Sequence, residues 1–170
     1  GKVSRHPEGR TTQFVTIAGD GQVLFWDMRV KKDAKRFDVL WNPVHRVTLA
    51  KGEGSSGEVG GSHLAIGDAA DGTQFFCATE EGELIGANWH PDEADEKPRF
   101  LQEIMVGHYG ACTALERSPF FHDILLTVGD WTSRVWVDEL KTPILSTKYQ
   151  MTYLTDGCWS PTRPGVFFTT

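Results

Sequence analysis

Short apolar runs separated by turn-forming residues make up most of the 170-residue chain. The runs are rich in Val, Ile, Leu, Phe, Thr and Trp, and Gly, Asp, Asn or Pro stand between them, as is typical of β-strands and turns. No segment keeps a helical period over three turns, so no long amphipathic helix is predicted. The clearest predicted strands span residues 13–18, 22–27, 74–79, 123–128 and 133–138. The pattern predicts an all-β fold.

Three segments interrupt or blur this pattern. Residues 50–62 are rich in glycine and serine, and residues 90–98 form an acidic stretch with a proline near each end. Both are interpreted as solvated connectors, with a contact loop or a phosphorylation site in the serines as the alternative. The sequence FLQEIM, at residues 100–105, suits a helix in isolation. Its place between the acidic stretch and Gly107 favours a strand.

Two predicted hairpins share an acid-to-tryptophan spacing. In the first, Trp26 follows the turn residue Asp20 by six positions, and in the later one Trp136 follows Asp130 by the same six. A weaker copy between them has Glu81 at its turn, and the last six residues, GVFFTT, match the first strand of another such hairpin. This repetition predicts several copies of one antiparallel unit.

The repeated unit matches a blade of a WD-repeat β-propeller, a four-stranded antiparallel sheet with Gly-His near its start and Trp-Asp near its end. Gly107 and His108 open the best copy, and Ser-Pro pairs at 118–119 and 160–161 end two matching strands. The prediction is a propeller fragment of about four blade equivalents with incomplete ends. Its blade pieces cover residues 1–49, 63–106, 107–148 and 149–170, and the chain is expected to be part of a longer protein.

The resemblance to WD-repeat blades implies a buried hydrogen-bond chain of His, Ser or Thr, Asp and Trp. Its members can satisfy one another, since Trp N–H only donates, a carboxylate only accepts, and a hydroxyl does both. In the third unit it is assigned to His108, Thr127, Asp130 and Trp136, although Thr127 precedes the acid by three positions where four are usual. In the first unit it is assigned to Thr16, Asp20 and Trp26. The second unit lacks these groups and is expected to rely on apolar packing of Phe75, Phe76, Leu84 and Ile85.

Charge and composition narrow the possible functions. The net charge of −6 disfavours nucleic acid and anionic membranes as partners, and the short basic stretch at residues 29–36 is interpreted as a loop. Three scattered cysteines give no disulfide framework and favour a reducing compartment. The pair His122-Asp123 and the spacing of His108 and Cys112 are weak metal signals, and no hydrolase, zinc-protease or nucleotide-loop motif occurs. No catalytic residue, metal or cofactor is predicted.

Several stretches resemble the dynein intermediate chain family, a group of WD-repeat proteins. They are GDGQVLFWDMR, CATEEGEL, GHYGACTALERSPFFHDILL and LLTVGDWTSRVW, and they occur in the family's order over nearly the whole chain. CWSPTRPGVFFTT and RSPFFHDILLTVGDW are similar to axonemal rather than cytoplasmic members. Within that group the intermediate chain of the two-headed inner arm is favoured, with an outer-arm chain as the rival.

The resemblance implies a non-catalytic scaffold in a ciliary or flagellar axoneme, in the cytoplasm and cytoskeleton. Its expected partners are the tail of a dynein heavy chain, a second intermediate chain, and light chains that bind a region absent from this sequence. Tyr109, Trp131 and Arg134 are the candidate partner contacts, since interfaces favour Tyr, Trp and Arg. Packing of Trp131 on a neighbouring blade is the alternative. A WD-repeat module of another complex, such as a ubiquitin-ligase adaptor or trafficking coat, remains the other function class.

Overall fold

The computed structural model describes residues 4–5, 11–28, 42–49, 59–67, 74–88 and 104–170. Within these ranges every regular element is a β-strand, which confirms the all-β prediction. None of the described residues belongs to a helix long and apolar enough to cross a membrane. The predicted basic loop at 29–36, residues 50–58 of the insertion, the acidic loop at 90–98 and residues 100–103 lie outside the described residues.

The strands form three four-stranded antiparallel sheets and one two-stranded sheet, each with its strands side by side in chain order. The first sheet holds β1 (Ser4–Arg5), β2 (Thr11–Ile17), β3 (Gln22–Asp27) and β4 (His45–Thr48). The second holds β5 (Gly61–Ile66), β6 (Gln74–Thr79), β7 (Glu83–Asn88) and β8 (Ile104–Val106). The third holds β9 (Cys112–Arg117), β10 (Ile124–Gly129), β11 (Thr132–Val137) and β12 (Leu145–Ser146). The last pairs β13 (Gly157–Trp159) with β14 (Phe167–Thr169).

Three apolar layers form the core, one between each pair of successive sheets. Between the first and second sheets Phe25 meets Phe75 edge to face, with ring centroids 5.9 Å apart. The layer between the second and third sheets contains Phe76, Leu84, Leu125 and Trp136. The layer beyond the third sheet contains Ala114, Leu126, Val128, Val135, Leu154 and Trp159. Burial of both faces of the central sheets explains why their strands read as nearly continuous apolar runs.

The second sheet, which lacks the polar residues of its neighbours, is held by packing. Phe75, Phe76, Leu84 and Ile85 are each at most 2% exposed, and they divide between the two layers on either side of the sheet. Removing such side chains from water is worth roughly 1.5–3 kcal/mol each. Apolar packing on both faces therefore stabilises this sheet.

The two Ser-Pro turns have the same structure at the ends of β9 and β13. Ser118 Oγ accepts the backbone N–H groups of Phe120 and Phe121, at 3.3 and 3.2 Å. Ser160 Oγ accepts those of Thr162 and Arg163, at 3.4 and 3.1 Å. Both serines therefore satisfy the first free donors of a chain reversal, as serine side chains commonly do in turns. The third sheet and the following two-stranded sheet thus share this turn, and their division into separate blades stays a prediction.

Candidate functional site

A buried polar cluster connects the start of the third sheet with its central hairpin. His108, Thr127, Asp130 and Trp136 are each 1–2% exposed. Trp136 Nε1 donates to Thr127 Oγ1 at 2.8 Å, and the same hydroxyl lies 2.9 Å from His108 Nε2. His108 Nδ1 lies 3.4 Å from Asp130 Oδ1. The structure therefore brings the four side chains assigned to the third unit into one continuous chain.

The donors and acceptors of this buried network determine which group donates in each hydrogen bond. Because a carboxylate can only accept, the ring proton of His108 lies on Nδ1, which is 3.4 Å from Asp130 Oδ1 and 3.3 Å from Thr132 Oγ1. In the neutral ring Nε2 is then an acceptor, so Thr127 donates its hydroxyl proton to Nε2 and accepts the Trp136 indole N–H. Thr132, which sequence reasoning missed, adds its backbone N–H and its hydroxyl to the same carboxylate oxygen, each at 2.8 Å. Each polar group of the chain has a partner, so its burial carries little desolvation cost.

Burial and these contacts set the charges of the two ionisable members. Burial lowers the pKa of His108, and the neighbouring Asp130 opposes that change without reversing it. Burial would raise the pKa of Asp130, but the Tyr109 N–H, Thr132 and His108 outweigh it, and the pKa is lowered. The site therefore holds a neutral imidazole beside a carboxylate. Its polar atoms bond to each other and stand away from solvent.

A short turn explains the unusual spacing of Thr127 and Asp130. Gly129 pairs with Thr132 across a two-residue turn, whereas three residues separate Ala18 from Gln22 in the first sheet. The shorter turn places Asp130 in the left-handed region, with φ of 49°, which Asp adopts more readily than most residues. One residue is lost between Thr127 and the acid, and the chain of hydrogen bonds still closes.

The first sheet contains only part of the corresponding arrangement. Trp26 Nε1 donates to Thr16 Oγ1 at 3.0 Å, and the Trp26 ring stacks on Phe14 with centroids 5.9 Å apart. The expected bonds from Asp20 to Thr16 and Trp26 are replaced by a different contact. Asp20 is exposed, and its Oδ1 accepts the backbone N–H of Gln22 at 3.0 Å. The side chain closes its own turn instead of extending into the sheet.

The three candidate contact residues lie in different environments. Tyr109 is 81% exposed, while its backbone N–H donates to Asp130 Oδ2 at 3.0 Å. Trp131 is 43% exposed and also packs edge to face on Tyr153, with ring centroids 5.6 Å apart. Arg134 is half-buried within β11, close enough to act on the pKa of His108. Tyr153 carried no motif and was missed by sequence reasoning, because only the fold brings it beside Trp131.

The weak metal signals find no support in the geometry of the described part of the chain, where no group of three or more His, Cys, Asp or Glu side chains is placed to hold a metal ion. His122 and Asp123 lie exposed on the surface. Cys112 is buried, and burial raises the pKa of its thiol to about 12, which disfavours the thiolate that binds metals. Cys77 is also buried with a raised pKa, and Cys158 is exposed; all three thiols are free.

Sequence comparison places the chain among WD-repeat proteins of the axoneme. The family model for the dynein axonemal intermediate chain 3 WD40 domain matches residues 62–170. The 70 kDa intermediate chain of the flagellar outer arm dynein of Chlamydomonas reinhardtii is 39% identical over 93% of this chain and 26% of its own length. Human dynein axonemal intermediate chain 2 is 37% identical over 94% of this chain and 24% of its own length. The chain belongs to the axonemal dynein intermediate chain family and spans about a quarter of these relatives.

Structural comparison supports the propeller architecture independently of sequence identity. A chain in the crystal structure of the mitotic checkpoint complex aligns with a TM-score of 0.66. The alignment covers 98% of this chain and 42% of that chain, at 11% identity. At this identity the likeness concerns the fold alone. Together with the WD40 family match, it confirms an incomplete propeller made of consecutive blades.

Proposed function

We propose that this chain is part of a non-catalytic scaffold subunit of an axonemal dynein arm, and that its propeller binds the tail of a dynein heavy chain. The observation that carries the proposal is the family match over residues 62–170. In this proposal ATP hydrolysis belongs to the heavy chain. The subunit fixes the heavy chain within the arm and supports arm assembly and ciliary or flagellar motility.

The geometry of the polar cluster supports a scaffold over an enzyme. The hydrogen-bonding atoms of His108, Thr127 and Asp130 bond to one another, and all three side chains are at most 2% exposed. A general acid or base must reach a substrate proton within hydrogen-bond distance. Side chains committed to each other in this way instead connect the strands of a blade, which suits a rigid binding platform.

The wider set of partners follows from the same proposal. A second intermediate chain and light chains would complete the arm, and the light chains would bind a region outside this sequence. The 39% identical relative is named for the flagellar outer arm, whereas the inner two-headed arm was favoured by short motifs. Electron tomography of axonemes that lack the full-length protein would decide the arm by showing which density is missing.

Affinity capture of the full-length protein from axonemal extracts tests the proposal. We expect a dynein heavy chain among the captured proteins, in a constant ratio to the tagged subunit. The alternative class, a WD-repeat module of a ubiquitin ligase or a trafficking coat, predicts those partners instead. Capture that contains no heavy chain would refute the scaffold proposal.

A further inference from the structure

Five large side chains with exposed apolar surface lie around the hairpin turn of the third sheet. We name them the aromatic patch: Tyr109, Trp131, Tyr149, Met151 and Tyr153. Their exposed fractions are 81%, 43%, 66%, 102% and 41%, respectively. Met and aromatic residues are enriched in protein interfaces, and contiguous exposed apolar surface commonly marks a binding site.

Backbone contacts hold the aromatic patch in place. Gln150 N donates to Trp131 O at 2.9 Å and Leu154 N donates to Asp130 O at 2.9 Å, so the segment between them lies along the turn. Tyr153 Oη donates to the carbonyl of Ala111 at 3.3 Å. The backbone of Tyr109 is tied to the buried carboxylate of Asp130. A partner would therefore meet side chains on an ordered backbone, which reduces the entropy lost on binding.

The acidic turns of the other two sheets continue this surface. The backbone of Gly82 is so close to the start of the third sheet that an added Cβ would lie 2.5 Å from Gly110 O. In the same way, a Cβ on Gly19 would lie 3.3 Å from Glu80 Oε1. The exposed carboxylates of Asp20 and Glu80 therefore lie on the same side of the molecule as Tyr109. Apolar surface is thus bordered by negative charge.

We infer that this hairpin-turn surface binds a heavy-chain segment in which apolar side chains stand beside lysine or arginine. The inference rests on the proposed function. It adds which surface of this chain binds the heavy chain and what chemistry the bound segment has. The apolar side chains would cover the aromatic patch, and the basic side chains would face Asp20 and Glu80. Opposite charges at an interface rim mainly speed association and select the partner, while buried aromatic residues supply most of the affinity.

Capture of the heavy chain by variants of the full-length protein tests the inference. The double variant Tyr109→Ser, Met151→Ser removes the two most exposed patch side chains and leaves the Tyr109 N–H bond to Asp130 in place. We expect at least about tenfold less captured heavy chain, as for the loss of interface hot spots. The variant Glu80→Lys should also reduce capture, and its remaining binding should depend less on salt than that of the wild type.

A matched control removes equally apolar surface from the opposite end of the same sheet. Leu140 and Phe121 are 47% and 44% exposed and lie beyond the far ends of β11 and β10. The variant Leu140→Ser, Phe121→Ser should capture as much heavy chain as the wild type. Thermal melting of all three variants should match the wild type, because the replaced side chains are exposed.

The possible outcomes distinguish an error in the proposed binding surface from an error in the proposed function. If the wild type captures the heavy chain and the patch and charge variants capture it equally well, the surface is wrong and the proposed function stands. Loss of a different arm subunit, with the heavy chain retained, would also overturn the inference. Loss of capture only in the control variant would place the interface at the other end of the sheet. Failure of the wild type to capture any heavy chain would refute both.

Discussion

At the scale of single residues, the same Trp–Thr hydrogen bond occurs in two settings. Thr127 and Trp136 are buried, and Thr127 is also in contact with His108. Thr16 is exposed, and its hydroxyl accepts the bond from Trp26 at 3.0 Å. The contribution of the bond to the free energy of unfolding should therefore differ between the two sheets, since an unpaired polar group is costly only where water cannot reach it.

Replacing each threonine with valine tests this difference. Thr127→Val keeps the shape of the side chain but leaves Trp136 Nε1 and His108 Nε2 without their partner, so we expect a loss of about 1–3 kcal/mol in the free energy of unfolding. Thr16→Val is the matched control, with an expected loss below about 0.5 kcal/mol, because water can replace the hydroxyl. Urea unfolding of the full-length variants measures both. Equal losses would contradict the buried network.

The lowered pKa of His108 predicts a dependence of stability on pH. Because the unfolded imidazole takes up a proton near pH 6.5 and the folded one resists it, the unfolded state binds more protons as pH falls. The free energy of unfolding should therefore fall below about pH 7.5, by at most about 1.4 kcal/mol per pH unit from this group. This loss continues until the pH reaches the lower pKa of the folded state.

Comparison with His108→Gln isolates this contribution. The difference in the free energy of unfolding between wild type and variant should become smaller as pH decreases from about 7.5 to about 5. The reason is that only the wild type loses stability through this imidazole. A gap for His108→Gln that stays constant over this range would contradict a neutral buried imidazole.

At the scale of elements, sequence spacing predicted the strands better than the contacts between them. The shared six-residue step from acid to tryptophan located both hairpins, since the step is fixed by strand geometry. The role of Asp20 could not be obtained in this way, because an acid in a turn can reach either its own backbone or the sheet. Tyr153 and Thr132 were missed because their partners come from tertiary packing and turn geometry.

The junction between the second and third sheets depends on one glycine. Gly82 has φ of 87°, and an added Cβ would lie 2.5 Å from Gly110 O and still closer to the carbonyl of His108. Gly82→Ala should therefore cost about 2–4 kcal/mol, from left-handed strain together with the backbone clash. Gly165, with φ of 71° and open space around it, is the control, and Gly165→Ala should cost about 1–2 kcal/mol. Thermal unfolding distinguishes them, and equal shifts would argue against this junction.

In the whole molecule, successive sheets share apolar layers, and the first three sheets present the turns of their central hairpins on one side. This arrangement combines a rigid body with a surface of differing chemistry, acidic on the first two sheets and aromatic on the third. A scaffold subunit needs both properties, because it must hold its shape while it binds a much larger chain. In the proposed function that larger chain is a dynein heavy chain.

Sedimentation of extracted axonemal dynein tests whether the protein is a stable subunit of a heavy-chain complex. The measurement is the amount of the full-length protein and of dynein heavy chain in each fraction of a density gradient. The account predicts that the two form one peak with a constant ratio across it, and that the peak is retained after the gradient is repeated. Sedimentation of the protein as a separate peak, away from every heavy chain, would contradict the account.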